Sequence, residues 1–190
     1  MTMDDKERRL ANSAHDLFLQ QGFKHTSIAQ IARHADVAVG TFYNFYASKD
    51  DIFVRIYNAE NERVKAEILK RVDLTGDPAT VVKTVVQEIF TCSADNQILQ
   101  EWFTNPKLNN IIAQTNQSAV EESLVYATLM KLIDQWRQTG KLKDDLDQDR
   151  IISLFNALTV LDFHQSEIQT DSYYQLLNDL IASILLFILK

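Results

Sequence analysis

The stretch "VAVGTFYNFYASKDD" (residues 37–51) decides how this sequence folds. Four of the five residues from Phe42 to Tyr46 are aromatic, and the first charged residue of the stretch is Lys49. Phe42 and Tyr46 are four positions apart, so on a helix they share one face. The pattern predicts a short helix over residues 38–46 with an aromatic inner face. Its outer face then carries Gly40, Thr41, Tyr43 and Asn44.

This outer face has the chemistry to contact duplex DNA. Hydroxyl and amide groups can donate to phosphate or read base edges, and Gly40 lets a partner approach the backbone closely. We predict that Tyr43 hydrogen-bonds a phosphate and that Lys49, at the start of the next helix, adds a charge for a second one. A nine-residue helix is about 13 Å long, comparable to the major groove, which is about 12 Å wide.

Helical patterns flank this stretch on both sides. Upstream, residues 5–20 form an amphipathic helix that Gly22 ends, and Thr26 or Ser27 caps a second helix of about ten residues. A short helix, a tight turn and another short helix, supported by a preceding one, form a helix-turn-helix arrangement.

Downstream, "SKDD" is a helix start. Ser48 is the cap and Asp51 closes a capping box, so the pattern predicts a fourth helix that reaches about residue 70. Three short helices bury little surface alone and must pack on this fourth one. We therefore expect a helix-turn-helix domain at 1–50 and a larger helical domain at 51–190, with the boundary inside the fourth helix, at about 48–70.

Composition supports an all-α fold. The 190 residues include only four glycines and two prolines, and no alternating β pattern is sustained. The first 50 residues contain six basic and six acidic residues, whereas the remaining 140 contain 13 and 20 and carry the whole net charge of −7. Binding of a polyanion is therefore expected of the N-terminal part.

Several features indicate a cytoplasmic protein. Cys92 is the single cysteine, so no internal disulfide can form, and the N-terminal "MTMDDKERR" lacks the apolar segment of a secretory signal. The longest apolar run, "IASILLFIL" (residues 181–189), is far shorter than the roughly 20 residues that a membrane helix needs. No membrane association is expected.

Three segments resemble the TetR family of bacterial transcriptional regulators. "TSIAQIARHADVAVGTFYNFYASKDDIF" (residues 26–53) is similar to the family's DNA-binding segment, and "AHDLFLQQGF" (residues 14–23) to its first helix. "GKLKDDLDQDRI" (residues 140–151) resembles the start of the family's dimerisation helices. The resemblance implies a homodimer that pairs helices at about 147–164 and 172–189 in a four-helix bundle. It also implies a pocket for a small-molecule inducer.

The resemblance also assigns roles to single residues. Thr26 and Ser27 match the phosphate-binding start of the second helix, and Tyr43 and Lys49 match the family's phosphate-binding tyrosine and lysine. Asn44 matches a variable position that contacts bases or backbone. The base-facing start of the recognition helix corresponds to Ala38, Val39, Gly40 and Thr41.

Three residues depart from the family pattern. Phe45 stands where histidine or tyrosine is usual, Tyr46 replaces a buried phenylalanine, and Val39 is apolar where many members are polar. We expect Val39 to make van der Waals contact, for example with a thymine methyl group.

Large side chains of the C-terminal part are candidates for the inducer pocket, although each one, taken singly, also suits an ordinary core. These residues are Trp102, Phe103, Tyr126, Met130, Trp136, Phe155 and His164.

The function that follows is a ligand-responsive regulator, in most members a repressor, that binds a near-palindromic operator and leaves it when an inducer binds. A helical enzyme is the first alternative, but no nucleophile–base pair, metal cluster or glycine-rich phosphate loop is visible. The second is a helical adaptor for other proteins, favoured by Phe45, Val39 and the net charge. No cofactor or metal is expected, since His25 and His34 lack accompanying ligands.

Overall fold

The computed structural model describes residues 5–116 and 123–190. The described residues form α-helices joined by short connections and contain no β-strand, which confirms the all-α prediction. The helices are α1 (Asp5–His25), α2 (Ile28–His34), α3 (Val39–Phe42), α4 (Lys49–Arg71), α5 (Pro78–Ala94), α6 (Gln97–Thr104), α7 (Pro106–Asn116), α8 (Leu124–Gln138), α9 (Gln148–Phe163) and α10 (Tyr173–Ile188).

The chain forms two compact units. The first contains the described residues up to Arg63 together with Cys92–Ile112, and the second contains Val64–Thr91 and the described residues from Ala113 onwards. Both α4 and α5 contribute residues to each unit. The first unit thus includes a segment that the sequence analysis assigned to the C-terminal domain.

A break at Gly22 shapes the first unit. Gly22 has φ 75° and ψ 169°, so the helix that begins at Asp5 is interrupted there and resumes for one short turn. The left-handed φ suits a residue without a side chain. After the break, Phe23 packs on two buried rings, with ring centroids 5.8 Å from Phe18 and 4.9 Å from Phe53. This aromatic cluster is the centre of the unit's core.

Helix α3 is shorter than predicted. The sequence pattern predicts a helix over residues 38–46, but α3 is a single turn, Val39–Phe42. Beyond it the backbone follows tighter turns, with the Asn44 N–H donating to the Thr41 carbonyl at 3.2 Å. Glycine, β-branched and aromatic residues favour helix only weakly, which explains why the helix does not continue. The inner face is as predicted, since Phe42 and Tyr46 are both buried.

The expected cap begins α4. Ser48 Oγ accepts a hydrogen bond from the Asp51 N–H at 3.1 Å, which confirms Ser48 as the cap. The Asp51 carboxylate accepts from the N–H of Ala47 at 3.0 Å, one residue before the partner that a standard capping box uses. The two bonds still fix the chain as it enters α4.

A buried carboxylate joins three elements of the first unit. The Glu60 side chain, only 2% exposed, accepts a hydrogen bond from Arg63 Nη2 at 2.7 Å and one from Asn96 Nδ2 at 2.6 Å. The Nε2 atom of His15 on α1 lies 3.3 Å from the same carboxylate. Asn96 in turn caps α6 by accepting from the N–H of Ile98 at 2.9 Å. The hydrogen bond from Arg63, with those from Asn96 and His15, outweighs burial and lowers the pKa of Glu60 to about 2.

Apolar side chains of α8, α9 and α10 form most of the second unit's core. Its centre is Trp136, which is fully buried. The C-terminal end is fastened to a neighbouring loop, because the Lys143 N–H donates to the Ile188 carbonyl at 2.9 Å. Within the described residues, no helix is both long and apolar enough to cross a membrane. The buried members of this core are Val81, Leu132, Ile133, Trp136, Leu142, Leu146, Ile151, Phe155, Ile181, Leu185 and Ile188.

The Glu60 network predicts a pH-dependent stability. Because the folded-state pKa lies below the ordinary 4.5, ionised Glu60 stabilises the fold above that value. The contribution, about 3 kcal/mol, is lost as the pH falls from about 4.5 towards 2. We expect Glu60→Gln to lower the free energy of unfolding at pH 7. The difference from wild type should shrink by about 2 kcal/mol at pH 3 in urea unfolding.

Glu167→Gln, which changes an exposed carboxylate, serves as the control. If the difference in the free energy of unfolding between wild type and Glu60→Gln were the same at pH 7 and pH 3, the network would not favour the ionised carboxylate.

Candidate nucleic-acid interface

Solvent-exposed residues of α3 and the following turn lie on both sides of the buried Phe42 in the chain. Tyr43 is 57% exposed and Val39 is 44% exposed. The Tyr43 ring packs edge-on against the buried Phe42 ring, with centroids 5.4 Å apart, so the side chain is supported while it faces solvent. At Gly40, an added Cβ would meet no atom within 4 Å, which leaves the backbone open to a partner. The remaining members are Ala38 and Asn44, which are exposed, and Thr41, which is half-buried. We call residues 38–44, except Phe42, the recognition face.

Ser27 starts the second helix. Its Oγ accepts a hydrogen bond from the Gln30 N–H at 3.3 Å, while the Gln30 carboxamide oxygen accepts from the Ser27 N–H at 2.7 Å. This is a complete capping box, so Ser27 rather than Thr26 is the cap. Thr26 is buried, and its hydroxyl donates to the carbonyl of Gly22 at 2.9 Å. Of the two residues predicted to bind phosphate at the start of the second helix, Thr26 and Ser27, only Ser27 therefore is exposed.

Lys49 lies in an unexpected environment. Its ammonium donates to the carbonyl oxygens of Phe23 at 2.9 Å and Thr26 at 2.8 Å. The same nitrogen lies 3.9 Å from the centroid of the Phe23 ring. Burial lowers the pKa of Lys49, and the neighbouring Asp50 and Glu101 carboxylates oppose that shift. Sequence reasoning predicted a phosphate contact here and did not anticipate these intrachain contacts.

Several other cations of the first unit are paired with carboxylates. The Lys107 ammonium nitrogen lies 2.6 Å from Asp50 Oδ2, and Arg55 Nε lies 3.2 Å from Asp51 Oδ1. Lys24 and Arg33, before and within α2, are exposed and have no ion pair in the described residues. Sequence reasoning did not single out these two residues, although their charge within the helix-turn-helix segment was the available signal.

The predicted inducer-pocket residues are divided between the two units. Trp102 and Phe103 belong to the first, where Trp102 stacks on Tyr57 with centroids 6.2 Å apart and Phe103 is exposed. The other five belong to the second unit. There Trp136 and Phe155 are core, Met130 packs against that core, Tyr126 is half-buried in α8 and His164 is exposed beside Glu167. Their role in ligand binding stays a prediction.

Comparison with known proteins gives a consistent result for the N-terminal part. Residues 10–56 match the family described as "Bacterial regulatory proteins, tetR family". The HTH-type transcriptional regulator HbdR of Aromatoleum sp. (strain CIB) is 30% identical over 71 residues, which are 37% of this chain and 31% of that protein. The chain thus matches less than a third of that relative's length.

Solved structures resemble the chain over most of its length. RolR in complex with resorcinol has a TM-score of 0.61 at 20% identity and covers 96% of this chain and 87% of its own. FadR of Thermus thermophilus, a TetR-family transcriptional repressor in complex with lauroyl-CoA, has a TM-score of 0.57 at 19% identity, with 95% and 91% covered. At such identities the likeness shows a shared fold.

The short helices, the tight turn and the exposed recognition face define a helix-turn-helix protein. Together with the family match, they show that residues 10–56 are a helix-turn-helix segment of the tetR family of bacterial regulatory proteins.

The capping box at Ser27 gives a stability prediction. Ser27→Ala removes the acceptor for the Gln30 N–H and should lower the free energy of unfolding by about 1 kcal/mol. Ser27→Asp keeps a capping oxygen and should change it by less than roughly 0.5 kcal/mol. Urea unfolding at pH 7 measures both. An equal loss in the two variants would contradict the capping role.

Proposed function

We propose that the protein is a ligand-responsive transcriptional repressor that binds a near-palindromic DNA operator as a homodimer and leaves it when a small-molecule inducer binds. The observation that carries this proposal is the recognition face, which presents the exposed polar side chains of Tyr43 and Asn44 beside the buried rings of Phe42 and Tyr46. Rigid support of exposed hydrogen-bonding groups is what a groove-reading surface needs.

On this proposal, some residues of the recognition face contact the phosphate backbone of the DNA and others contact the edges of the bases. The Tyr43 hydroxyl donates to one phosphate and sets the orientation of the protein on the duplex. The exposed Ser27 hydroxyl, which in this structure donates to the Gln30 carboxamide oxygen at 2.8 Å, turns from that acceptor to a second phosphate. Thr41 and Asn44 offer groups that can read base edges, while Val39 provides an apolar surface for a thymine methyl group. Gly40, which has no side chain, and Ala38, which has only a methyl group, allow the protein backbone to come close to the groove.

Exposed stripes on α9 and α10 support the proposed homodimer. The α9 stripe has two small residues, Ser153 and Ala157, beside Val160, and the α10 stripe has Ala182 beside Leu186. The side chains of Val160 and Leu186 are 58% and 79% exposed. Small residues let helices approach closely, so two copies can pair these faces in a four-helix bundle. Two recognition faces would then enter major grooves about 34–36 Å apart. The stripes consist of Ser153, Ala157 and Val160 on α9 with the following residue His164, and of Gln175, Asp179, Ala182 and Leu186 on α10.

The inducer part of the proposal is supported by fold likeness to proteins that hold small molecules. RolR holds resorcinol and the Thermus thermophilus FadR holds lauroyl-CoA. A ligand that favours a conformation with the wrong spacing of the recognition faces weakens DNA binding tenfold for each 1.4 kcal/mol of differential affinity. Because α4 contributes residues to both units, we propose that it transmits this change.

The first experiment is selection from a random duplex library with the purified protein at moderate salt. We expect an enriched inverted repeat whose half-sites lie about one helical turn apart, and binding that weakens steeply as salt rises. A folded protein that enriches no sequence, even at low salt, would reject operator binding and favour the adaptor interpretation.

Tyr43→Phe tests the recognition face on the selected operator. Loss of a hydrogen bond to a charged phosphate should weaken binding about tenfold or more, while the neutral hydroxyl leaves the salt dependence unchanged. Stability should not change, because the side chain is exposed. Tyr174→Phe, at an exposed tyrosine of α10, is the matched control and should bind like wild type. Equal affinity of Tyr43→Phe and wild type would remove Tyr43 from the interface.

Leu186→Asp tests the dimer face. A carboxylate in an apolar helix pairing should raise the dimer dissociation constant by roughly 100-fold or more, measured by sedimentation equilibrium. Leu19→Asp, at an exposed leucine of α1, is the control and should leave association unchanged. If Leu186→Asp dimerised like wild type, this face of α10 would not be the interface.

A further inference from the structure

We infer that Lys49 is a positioning residue that ties the start of α4 to the end of α1 and the turn before α2, and that it contributes no charge to a DNA phosphate. This inference rests on the proposed DNA binding. It assigns Lys49 a role different from the phosphate contact that family resemblance implies.

The contacts of the ammonium leave little for a phosphate. A lysine ammonium has three N–H donors, and two of them are used on the carbonyls of Phe23 and Thr26, at 2.9 and 2.8 Å. The nitrogen also lies 3.9 Å from the Phe23 ring centroid, which is within the range of a cation–π interaction. These contacts hold the ammonium against the turn before α2 and compensate the cation for its partial burial.

The acceptors are carbonyls that the break at Gly22 makes available. Carbonyls at the end of a helix lack partners within it, and here they are satisfied by the chain that follows. The Thr26 N–H donates to the Phe23 carbonyl at 3.2 Å, and the Thr26 hydroxyl donates to the Gly22 carbonyl at 2.9 Å. Lys49, which is 23 positions from Thr26 in the sequence, donates to the Thr26 carbonyl and so links the start of α4 to this turn. Phe23 is held by its own packing on Phe18 and Phe53, so the turn is a firm attachment point.

The attachment matters because of its place in the chain. The recognition face ends at Asn44, and the chain enters α4 only a few residues later. Ser48 caps that entry, and Asp50 is fastened to Lys107 of α7 at 2.6 Å. Lys49 adds the link from α4 back to the turn before α2, so the two ends of the helix-turn-helix segment are held at a fixed separation. The position of the recognition face depends on that separation.

The salt dependence of operator binding distinguishes positioning from phosphate contact. Each phosphate that a cation neutralises contributes about 0.9 to the slope of log K against log salt. A residue that only positions the recognition face changes the affinity at every salt concentration and leaves the slope unchanged.

The experiment compares wild type with Lys49→Gln on the selected operator between 50 and 300 mM salt, together with thermal unfolding. We expect about tenfold weaker binding at each salt concentration, an unchanged slope and a melting temperature lower by roughly 4 °C. Ser48→Ala, which loosens the same helix start without removing a charge, should reproduce this pattern. If Lys49→Gln does not fold, Lys49→Met, which keeps the apolar stem on the Phe23 ring, is measured instead.

A slope reduced by about 0.9 in the Lys49 variant would overturn the inference, whatever its stability. An unchanged melting temperature would also overturn it. Absence of operator binding by wild type would instead reject the proposed function. The melting temperatures of Lys49→Gln and of Lys24→Gln, at an exposed lysine, would then decide whether Lys49 ties the helices together.

Discussion

The arrangement of the first unit depends on the backbone conformation of Gly22. Its positive φ ends the regular part of α1 and turns Phe23 onto Phe18 and Phe53. The same break presents the carbonyls that receive the Thr26 hydroxyl and the Lys49 ammonium. A residue with a side chain would be strained at this φ, and its Cβ would lie 3.3 Å from Gln97 Oε1. One backbone conformation thus sets the aromatic core, the turn before α2 and the link to α4.

The exposed residues of the recognition face are supported by buried aromatic side chains. Phe42 and Tyr46 are buried, and Arg55 lies over the Tyr46 ring at 5.1 Å, which covers the one inward residue that carries a hydroxyl. Further back, the buried Glu60 carboxylate links α1, α4 and the cap of α6. Exposed residues such as Val39 and Asn44 can therefore vary without disturbing the fold.

Local features of this structure follow directly from the sequence. Ser48 was predicted as a cap and Ser27 as one of two candidates, and each accepts a hydrogen bond from an N–H three residues ahead. The inward orientation of Phe42 and Tyr46 followed from their spacing. The length of α3 did not, since periodicity continues through residue 46 while weak helix propensity and the turn into α4 end the helix at Phe42. The inducer-pocket residues were chosen by size alone, and Trp136 is fully buried in the core.

The sequence by itself determined the all-α fold, the helix starts, and the helix-turn-helix segment with its family resemblance, because caps, periodicity and motif depend on residues within a few positions of one another. Tertiary structure decided which polar groups are available for partners. Thr26 and Lys49 both match phosphate-binding positions, yet one is buried and the other spans 23 and 26 positions to reach its acceptors. Such contacts depend on how helices pack, and spacing along the chain carries no information about the carbonyl that a distant ammonium will meet.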